Sequence, residues 1–379
     1  MNMCSSALPL ERSPTSAAPE DIDLPVTRPM VPDRAFFDAL VDGVFEKAWF
    51  TNEGPLVRRL AAELRECLGV EHCQLVSSGA SALGLALDAV RLTPGAEIIT
   101  TPFTFAASTH AIALRGLVPV FADVDPETLC LDPEAAESAI GPNTGAILST
   151  HIYGGMCDVD AFARIGTRRD VRIVYDGAHA FGTTIGGRSI FHWGDACALS
   201  FHATKIFHTM EGGAVITAKA GADRRVRIAK GHGIDGPDVP MIGPNAKMSE
   251  LHAACGLTLI DRIPDEIAGR RAVHAAYRAA LEGLDFRFLT PRGCDWNHAY
   301  CPVLMPDENT VLRIRATLAA HGIEARRYFY PALNTLPQYA GAACPVAEDA
   351  ARRVLCLPMG GWLQASDVAR ICDTMAKAV

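Results

Sequence analysis

From about residue 74, short apolar runs alternate with longer stretches whose apolar positions recur at helical spacing. QLVSSG (74–79) is an apolar run that stops at small polar residues, and ASALGLALDAV (80–90) reads as the helix after it. EIITTP (97–102) reads as a strand, FAASTHAIALRG (105–116) as a helix and VPVFADV (118–124) as a strand. GAILSTHIYG (145–154) is a strand and loop, and RIVYDGAH (172–179) is a strand that ends in polar residues. Two further strands, GDACALSF (194–201) and GGAVITA (212–218), flank a polar run. Alternation with short connections predicts an α/β fold, with a mostly parallel central sheet flanked by helices on both faces. Ahead of it come a helix over 33–48, a turn at TNEGP (51–55) and a helix over 57–68. After about residue 260 the pattern changes, and a long helix over 264–284 leads into shorter α+β segments. The expected division is a variable lead-in (1–28), a large domain (29–260) and a small C-terminal α+β domain (261–379).

Composition narrows the class. The 379 residues are 49% hydrophobic and 21% charged, as in an ordinary globular enzyme. The net charge of −8, with no basic stripe or tail, speaks against a nucleic-acid partner. The apolar runs are too short to span a bilayer, and no charged-then-apolar leader opens the chain, so a cytoplasmic location is expected. The 12 cysteines are scattered and none forms a CxxC pair, which reads as reduced, mostly buried thiols. No HExxH or paired-cysteine spacing suggests a metal site.

In open sheets of this kind ligands bind beyond the carboxyl ends of the strands, and polar turns collect there. SSGAS (77–81) is one. Gly79 permits a tight turn into a helix whose first N–H groups, with the hydroxyls of Ser78 and Ser81, suit a phosphate; an ordinary helix cap fits the same residues. Asp176 ends an apolar strand, where it either holds a protonated nitrogen of a ligand or caps the next turn. His179 follows it, either against a ligand or in a structural place. SFHATKIFHTMEGG (200–213) sets one lysine, Lys205, among Ser, Thr, His and Gly with almost no charged company. A desolvated lysine has a lowered pKa and can attack a carbonyl; a lysine snorkelling at a domain edge is the alternative. A phosphate cradle, a carboxylate for a ring nitrogen and a desolvated lysine together are what pyridoxal 5′-phosphate (PLP) requires, with Phe103 or Phe105 to cover the ring.

These stretches resemble the DegT/DnrJ/EryC/StrS family of sugar aminotransferases, PLP enzymes of fold type I, from about Leu24 to the C-terminus. SSGASAL, TTPFTFAAS, VPVFADVDPETLCLDP, YDGAHAFG, GDACALSFHATKIFHTMEGG and GPNAKMSELHAACGL carry the resemblance. It implies that Lys205 forms the Schiff base and shuttles protons, and that Asp176 pairs with the pyridine nitrogen. It implies further that Phe105 stacks on the ring, that His179 lies near the cofactor, and that Ser200 with the turn at Gly79, Ala80 and Ser81 binds the phosphate. Asn245 would reach the cofactor phosphate of a neighbouring subunit, which implies a homodimer with shared active sites. His208 and Glu211 lie where a sugar approaches. The stretch 322–337 resembles that of members acting on 4-keto-6-deoxy sugars, and there Arg326, Arg327, Tyr328 and Tyr330 either meet the diphosphate or sugar, or form a solvated turn. The family's usual threonine is Ala80 here, with Ser81 to replace its hydroxyl.

The implied activity is transfer of an amino group, from glutamate, to a nucleotide-linked 4-keto-6-deoxy sugar on dTDP, for glycan, O-antigen or antibiotic sugar biosynthesis. The alternatives are a 3-keto sugar acceptor and a non-transaminating sensor of the same fold. The dehydratase branch carries histidine at the lysine position, and Lys205 stands against it.

Overall fold

A computed structural model describes residues 22–291, 293–339 and 341–379. The main sheet has seven strands. They are β1 (Cys73–Val76), β2 (Glu97–Thr100), β3 (Val118–Phe121), β4 (Thr144–Thr150), β5 (Arg172–Asp176) and, beyond a short hairpin of β6 (Thr184–Ile185) and β7 (Arg188–Ser189), β8 (Ala196–Ser200) and β9 (Gly213–Thr217). Their spatial order is β1-β9-β8-β5-β4-β2-β3. All run parallel except β9, which pairs antiparallel with both β8 and β1. The mostly parallel sheet expected from the alternation is therefore present, with one reversed strand where the loop carrying Lys205 turns the chain back.

Successive strand residues point to opposite faces, and they sort into two cores. Val76, Ile98, Ala146, Leu148, Val174, Ala196, Ala198 and Val215 lie under the helices Gly79–Ala89, Ala106–Ala113 and Ala220–Ala229. Leu75, Ile99, Ile147, Ile173, Tyr175, Cys197, Leu199 and Ile216 face the other core, with Leu60, Leu64 and Phe162. Both faces are covered, so the strands read as continuous apolar runs and not as alternating ones. At the sheet edge, buried Lys230 donates from Nζ to the Leu75 carbonyl at 3.0 Å and pairs with Glu53 at 2.9 Å, closing part of the free edge of β1.

A second sheet of three antiparallel strands, β10 (Arg287–Phe288), β11 (Cys301–Leu304) and β12 (Val354–Leu357), packs with the helices Ile263–Ala280, Glu308–Ala320 and Ala365–Ala376. The long helix ends at Ala280, short of 284, and Gly283 follows with φ at +87°. Of the expected lead-in, residues 1–21 lie outside the described residues. Leu24 and Val26 are buried, and Leu24 bridges to Ile323, so the end of that segment is built into the core beside the small sheet.

The TNEGP turn shows how distant residues fix a local element. The helix Pro55–Leu68 has no side-chain cap of its own. Instead buried Glu250 accepts from Leu56 N at 2.7 Å and Val57 N at 3.0 Å. Gly54 is needed for this approach, because a Cβ there would sit 2.4 Å from the Glu250 carboxyl carbon. Glu250→Ala removes the acceptor of both N–H groups and should lower unfolding stability by about 2 kcal/mol, measured by denaturant titration.

Candidate active site

The carboxyl ends of β1, β2, β4, β5 and β8 open on one side of the main sheet, and the polar turns meet there. The loop 201–212 joins β8 to β9. Phe201 and Phe207 anchor it in the core with Phe181, and Phe201 N bonds the Gly212 carbonyl at 2.9 Å, which pinches its ends together. Lys205 rises from this pinned loop, with its own N–H on the His202 carbonyl at 2.9 Å.

Lys205 is half-buried, and its Nζ bonds the Tyr300 hydroxyl at 3.2 Å. Burial lowers the ammonium from its ordinary range to about 8, and Asp176 and Tyr328 offset only part of that. Asp176 is buried at the end of β5. Its Oδ2 accepts from Ser108 Oγ at 2.6 Å and its Oδ1 from Ala178 N at 3.0 Å. Burial raises the carboxyl above its ordinary value, while those bonds and Lys205 pull it back. Ser108 continues through Thr104 (3.2 Å) to Thr150 (3.1 Å), a buried hydroxyl chain behind the carboxylate. His179 is buried and neutral, pushed well below its ordinary range by burial and then by Lys205. Its ring stacks on Phe329 with centroids 5.6 Å apart, and its Nδ1 is buried with no hydrogen-bond partner among the described residues.

In the SSGAS turn, Ser78 is a helix cap. Its Oγ accepts from Ser81 N at 3.1 Å. The cap on Ser81 leaves the N–H groups of Gly79 and Ala80 without helical acceptors. Gly79 lies so close to Ser200 that a Cβ would stand 2.6 Å from the Ser200 Cβ, which places the Ser200 hydroxyl at the mouth of the turn. Of the two phenylalanines, Phe103 is fully buried and Phe105 is 59% exposed beside the site, its ring 6.5 Å from that of Phe329.

The remaining expected residues divide. Glu211 is exposed, with His202 Nε2 at 3.6 Å. Arg326 is half-exposed, bonded to Glu324 (2.7 Å) and to the Tyr328 hydroxyl (2.7 Å). Tyr330 is exposed under the Arg327 guanidinium. Arg327 itself is turned inward onto Glu308 at 2.6 Å, so it holds the small sheet's surroundings together and is not presented to a ligand. His208 is a correction: it is buried, its Nε2 meets the Met30 carbonyl at 2.8 Å and its Nδ1 accepts from Met210 N at 3.2 Å, which leaves neither nitrogen for a sugar. Asn245 is exposed beside Ala246, whose carbonyl takes the N–H of Ser77, and its Oδ1 accepts from Lys247 at 2.6 Å.

The sequence reading missed Ser108, Tyr153, Tyr300 and Phe329. Tyr153 stacks on Phe329 (6.0 Å) and meets Tyr300 edge-on (5.8 Å), and its hydroxyl donates to the Tyr328 carbonyl. These three rings form an aromatic wall that meets Lys205 at Tyr300, from three separate stretches of chain, and no local pattern marks them as partners. Among the described residues no group of three or more His, Cys, Asp or Glu is placed to hold a metal, and no helix is long and apolar enough to cross a membrane.

Residues 33–376 match the DegT/DnrJ/EryC1/StrS aminotransferase family. The chain is 37% identical to the dTDP-4-amino-4,6-dideoxy-D-glucose transaminase of Shigella dysenteriae, over 92% of this chain and 97% of that one. It is 31% identical to the GDP-perosamine synthase of Caulobacter vibrioides, over 86% and 91% of the two chains. The crystal structure of DesI in the presence of its TDP-sugar product superposes with a TM-score of 0.88 at 37% identity, covering 93% of this chain and 92% of that one.

The lowered Lys205 ammonium has a consequence for stability. A lysine whose folded pKa lies near 8 loses stability by folding charged, fully so below about 8, and the loss disappears as pH rises past its unfolded value of about 10.4. Lys205→Met in the cofactor-free protein should therefore raise the melting temperature at neutral pH, with the gain shrinking toward pH ~10 in a series of thermal scans.

Proposed function

The chain belongs to the DegT/DnrJ/EryC1/StrS aminotransferase family, and from that premise we propose that it binds PLP at Lys205 and aminates a dTDP-linked 4-keto-6-deoxyhexose at C4, with glutamate as amino donor. The observation that carries the reading is the convergence of Lys205, Asp176 and the Gly79–Ser200 turn at the carboxyl ends of neighbouring strands. Three features fit PLP. The Gly79–Ser200 contact is a cradle that any side chain at 79 would fill, the Asp176 carboxylate is desolvated and accepts only two fixed donors, and His179 holds an unpaired buried nitrogen beside them.

In this reading the N–H groups of Gly79 and Ala80 and the hydroxyls of Ser81 and Ser200 hold the phosphate. Asp176 holds a protonated ring nitrogen, Phe105 covers a ring face, and His179 packs nearby. PLP supplies an aldehyde that condenses with amines and a protonated ring that accepts the electrons of a cleaved bond. The chain's own contribution is acid–base. With its ammonium near 8, Lys205 is free base in an appreciable fraction at neutral pH, so Nζ could take the proton from the donor's α-carbon and deliver it two bonds away, to the carbon beyond the donor nitrogen, then reverse the transfer on the sugar. Ser108 and Ala178 keep both Asp176 oxygens fixed, so the carboxylate does not swing toward Lys205.

The sugar nucleotide is assigned from the relatives that share 37% identity and act on, or are bound to, dTDP-linked sugars, against 31% for the GDP-linked case. We assign Arg326, Tyr328, Tyr330 and Glu211 to the sugar nucleotide, with Arg326, bonded to the Tyr328 hydroxyl, suited to its diphosphate. A homodimer is supported by exposed apolar side chains at Phe45 (63%), Val239 (69%) and Ile242 (99%), the last two in the segment that carries Asn245, which we assign to the neighbouring subunit's cofactor phosphate. We place the reaction in the cytoplasm because the eleven cysteines among the described residues are all free.

With PLP added, the full chain should show a visible absorption band that glutamate bleaches and dTDP-4-keto-6-deoxyglucose restores. Lys205→Ala should lose the band and at least about a thousandfold of turnover. A wild-type chain that binds no PLP would sink the reading; one that responds to glutamate but only to 3-keto sugars would move the acceptor. Gly79→Val should raise the PLP concentration needed for half-saturation by about tenfold, since it displaces Ser200 from the cradle.

A further inference from the structure

We infer that Tyr300 is the positioning residue for Lys205: its hydroxyl holds Nζ in both protonation states, and Arg270 and Asn297 mount Tyr300 for that purpose. The inference rests on the reading of Lys205 as the reactive amine.

The geometry begins at the 3.2 Å contact between Lys205 Nζ and Tyr300 Oη. A lysine that moves protons is an ammonium at one moment and an amine at the next. A carboxylate partner would bind the first and release the second. A phenol hydroxyl accepts from the ammonium and donates to the lone pair of the amine, so it keeps the same geometry through the change. Tyr300 is buried, and burial raises its pKa above the ordinary value, so the hydroxyl keeps its proton at any working pH. The titratable groups that face Lys205 are Asp176 at the end of β5, His179 just after it, Tyr328 in the segment 326–330, and Tyr300 at the head of β11. Tyr300 alone among them makes a direct hydrogen bond to Nζ among the described residues.

The mounting is unusually fixed. Ala299, the residue before Tyr300, has both backbone groups held by buried side chains. Asn297 Oδ1 accepts from Ala299 N at 3.0 Å, and Arg270 donates to the Ala299 carbonyl at 3.0 Å. Arg270 is itself paired with Glu266 at 2.6 Å, and Glu266 takes Gly361 N at 3.1 Å. The amide of Asn297 reaches across to the carbonyls of His179 (2.7 Å) and Phe181 (2.9 Å). The strut therefore joins the long helix, the small sheet and the chain just after Asp176. His298 between these anchors has φ at +52°, a conformation of modest cost that the anchors impose.

Packing explains the ring of Tyr300, which meets Tyr153, His179 and Tyr328 edge-on. It does not explain the hydroxyl, since phenylalanine fills the same space. The test is thus Tyr300→Phe. Competitive acetylation of Lys205 by acetic anhydride, followed by peptide mass spectrometry across about pH 6–11 on the full chain freed of PLP, reports the amine directly. Wild type should titrate near pH 8. The bond from the ammonium is charge-assisted and about twice as strong as the bond to the amine, so its loss favours the free amine. The midpoint in Tyr300→Phe should fall by about half to one pH unit, with the cooperative thermal transition retained. In the holoenzyme kcat should drop about fivefold to tenfold, with KM for both substrates within about twofold. Coincident Lys205 titrations in the two proteins would overturn the inference, as would a shift seen only where the thermal transition is lost. Because the acetylation uses no PLP, it separates this result from the wild-type PLP test of the functional reading.

Discussion

Burial of Asp176, with partial burial of Lys205 beside it, is the constraint on which the site depends. Each is moved toward its neutral form by burial, and each is pulled back in part by the other's charge. A solvated lysine would stay an ammonium at neutral pH, and a solvated aspartate would gain little from a cationic nitrogen. The sheet makes the arrangement possible, because the ends of β5 and β8 are adjacent and parallel, so their terminal residues meet in one place. The hydroxyl chain from Ser108 to Thr150 holds the carboxylate without neutralising it.

The second constraint is closure by the small sheet. The pocket wall is assembled from Tyr153 after β4, His179 after β5, Tyr300 at β11 and the segment Tyr328–Phe329. These stretches are tied by backbone contacts as well as rings: Leu333 N reaches the Pro102 carbonyl at 3.0 Å, and Trp296 Nε1 the Tyr153 carbonyl at 3.0 Å. Neither sheet makes the desolvated pocket alone. Motion of the small sheet relative to the large one would rehydrate Lys205 and raise its pKa, so packing and chemistry are coupled here.

Long-range carboxylates do the same work elsewhere. Among the described residues, the α-helices Pro55–Leu68 and Pro345–Arg353 begin with proline and lack a local side-chain cap. Glu250 serves the first, and Asp123 serves the second by accepting from Val346 N at 3.0 Å and Ala347 N at 2.9 Å. A negative charge at a helix N-terminus is favourable through both hydrogen bonds and the dipole. Here it also fixes where each helix sits, since the acceptor belongs to another part of the chain.

The alternation of apolar runs and helical stretches was enough to read the parallel sheet, because a strand covered on both faces is apolar along its whole length. The polar ends of those strands marked Asp176, Lys205 and the Gly79 turn, because polar residues that interrupt an apolar run need a reason to be there. The motif resemblance named the chemistry. Tertiary structure decided the rest. His208 sits three residues from Lys205 and looked available, yet its ring turns inward to the backbone at Met30, a partner far away in sequence. Arg326 and Arg327 are neighbours of the same type, and only packing sends one toward solvent and the other onto Glu308. Tyr300 is ninety-five positions from Lys205. Local sequence encodes the period of an element and the chemistry of its ends, but which side chains from distant elements share a pocket is set by the crossing of two sheets, and that has no period to read.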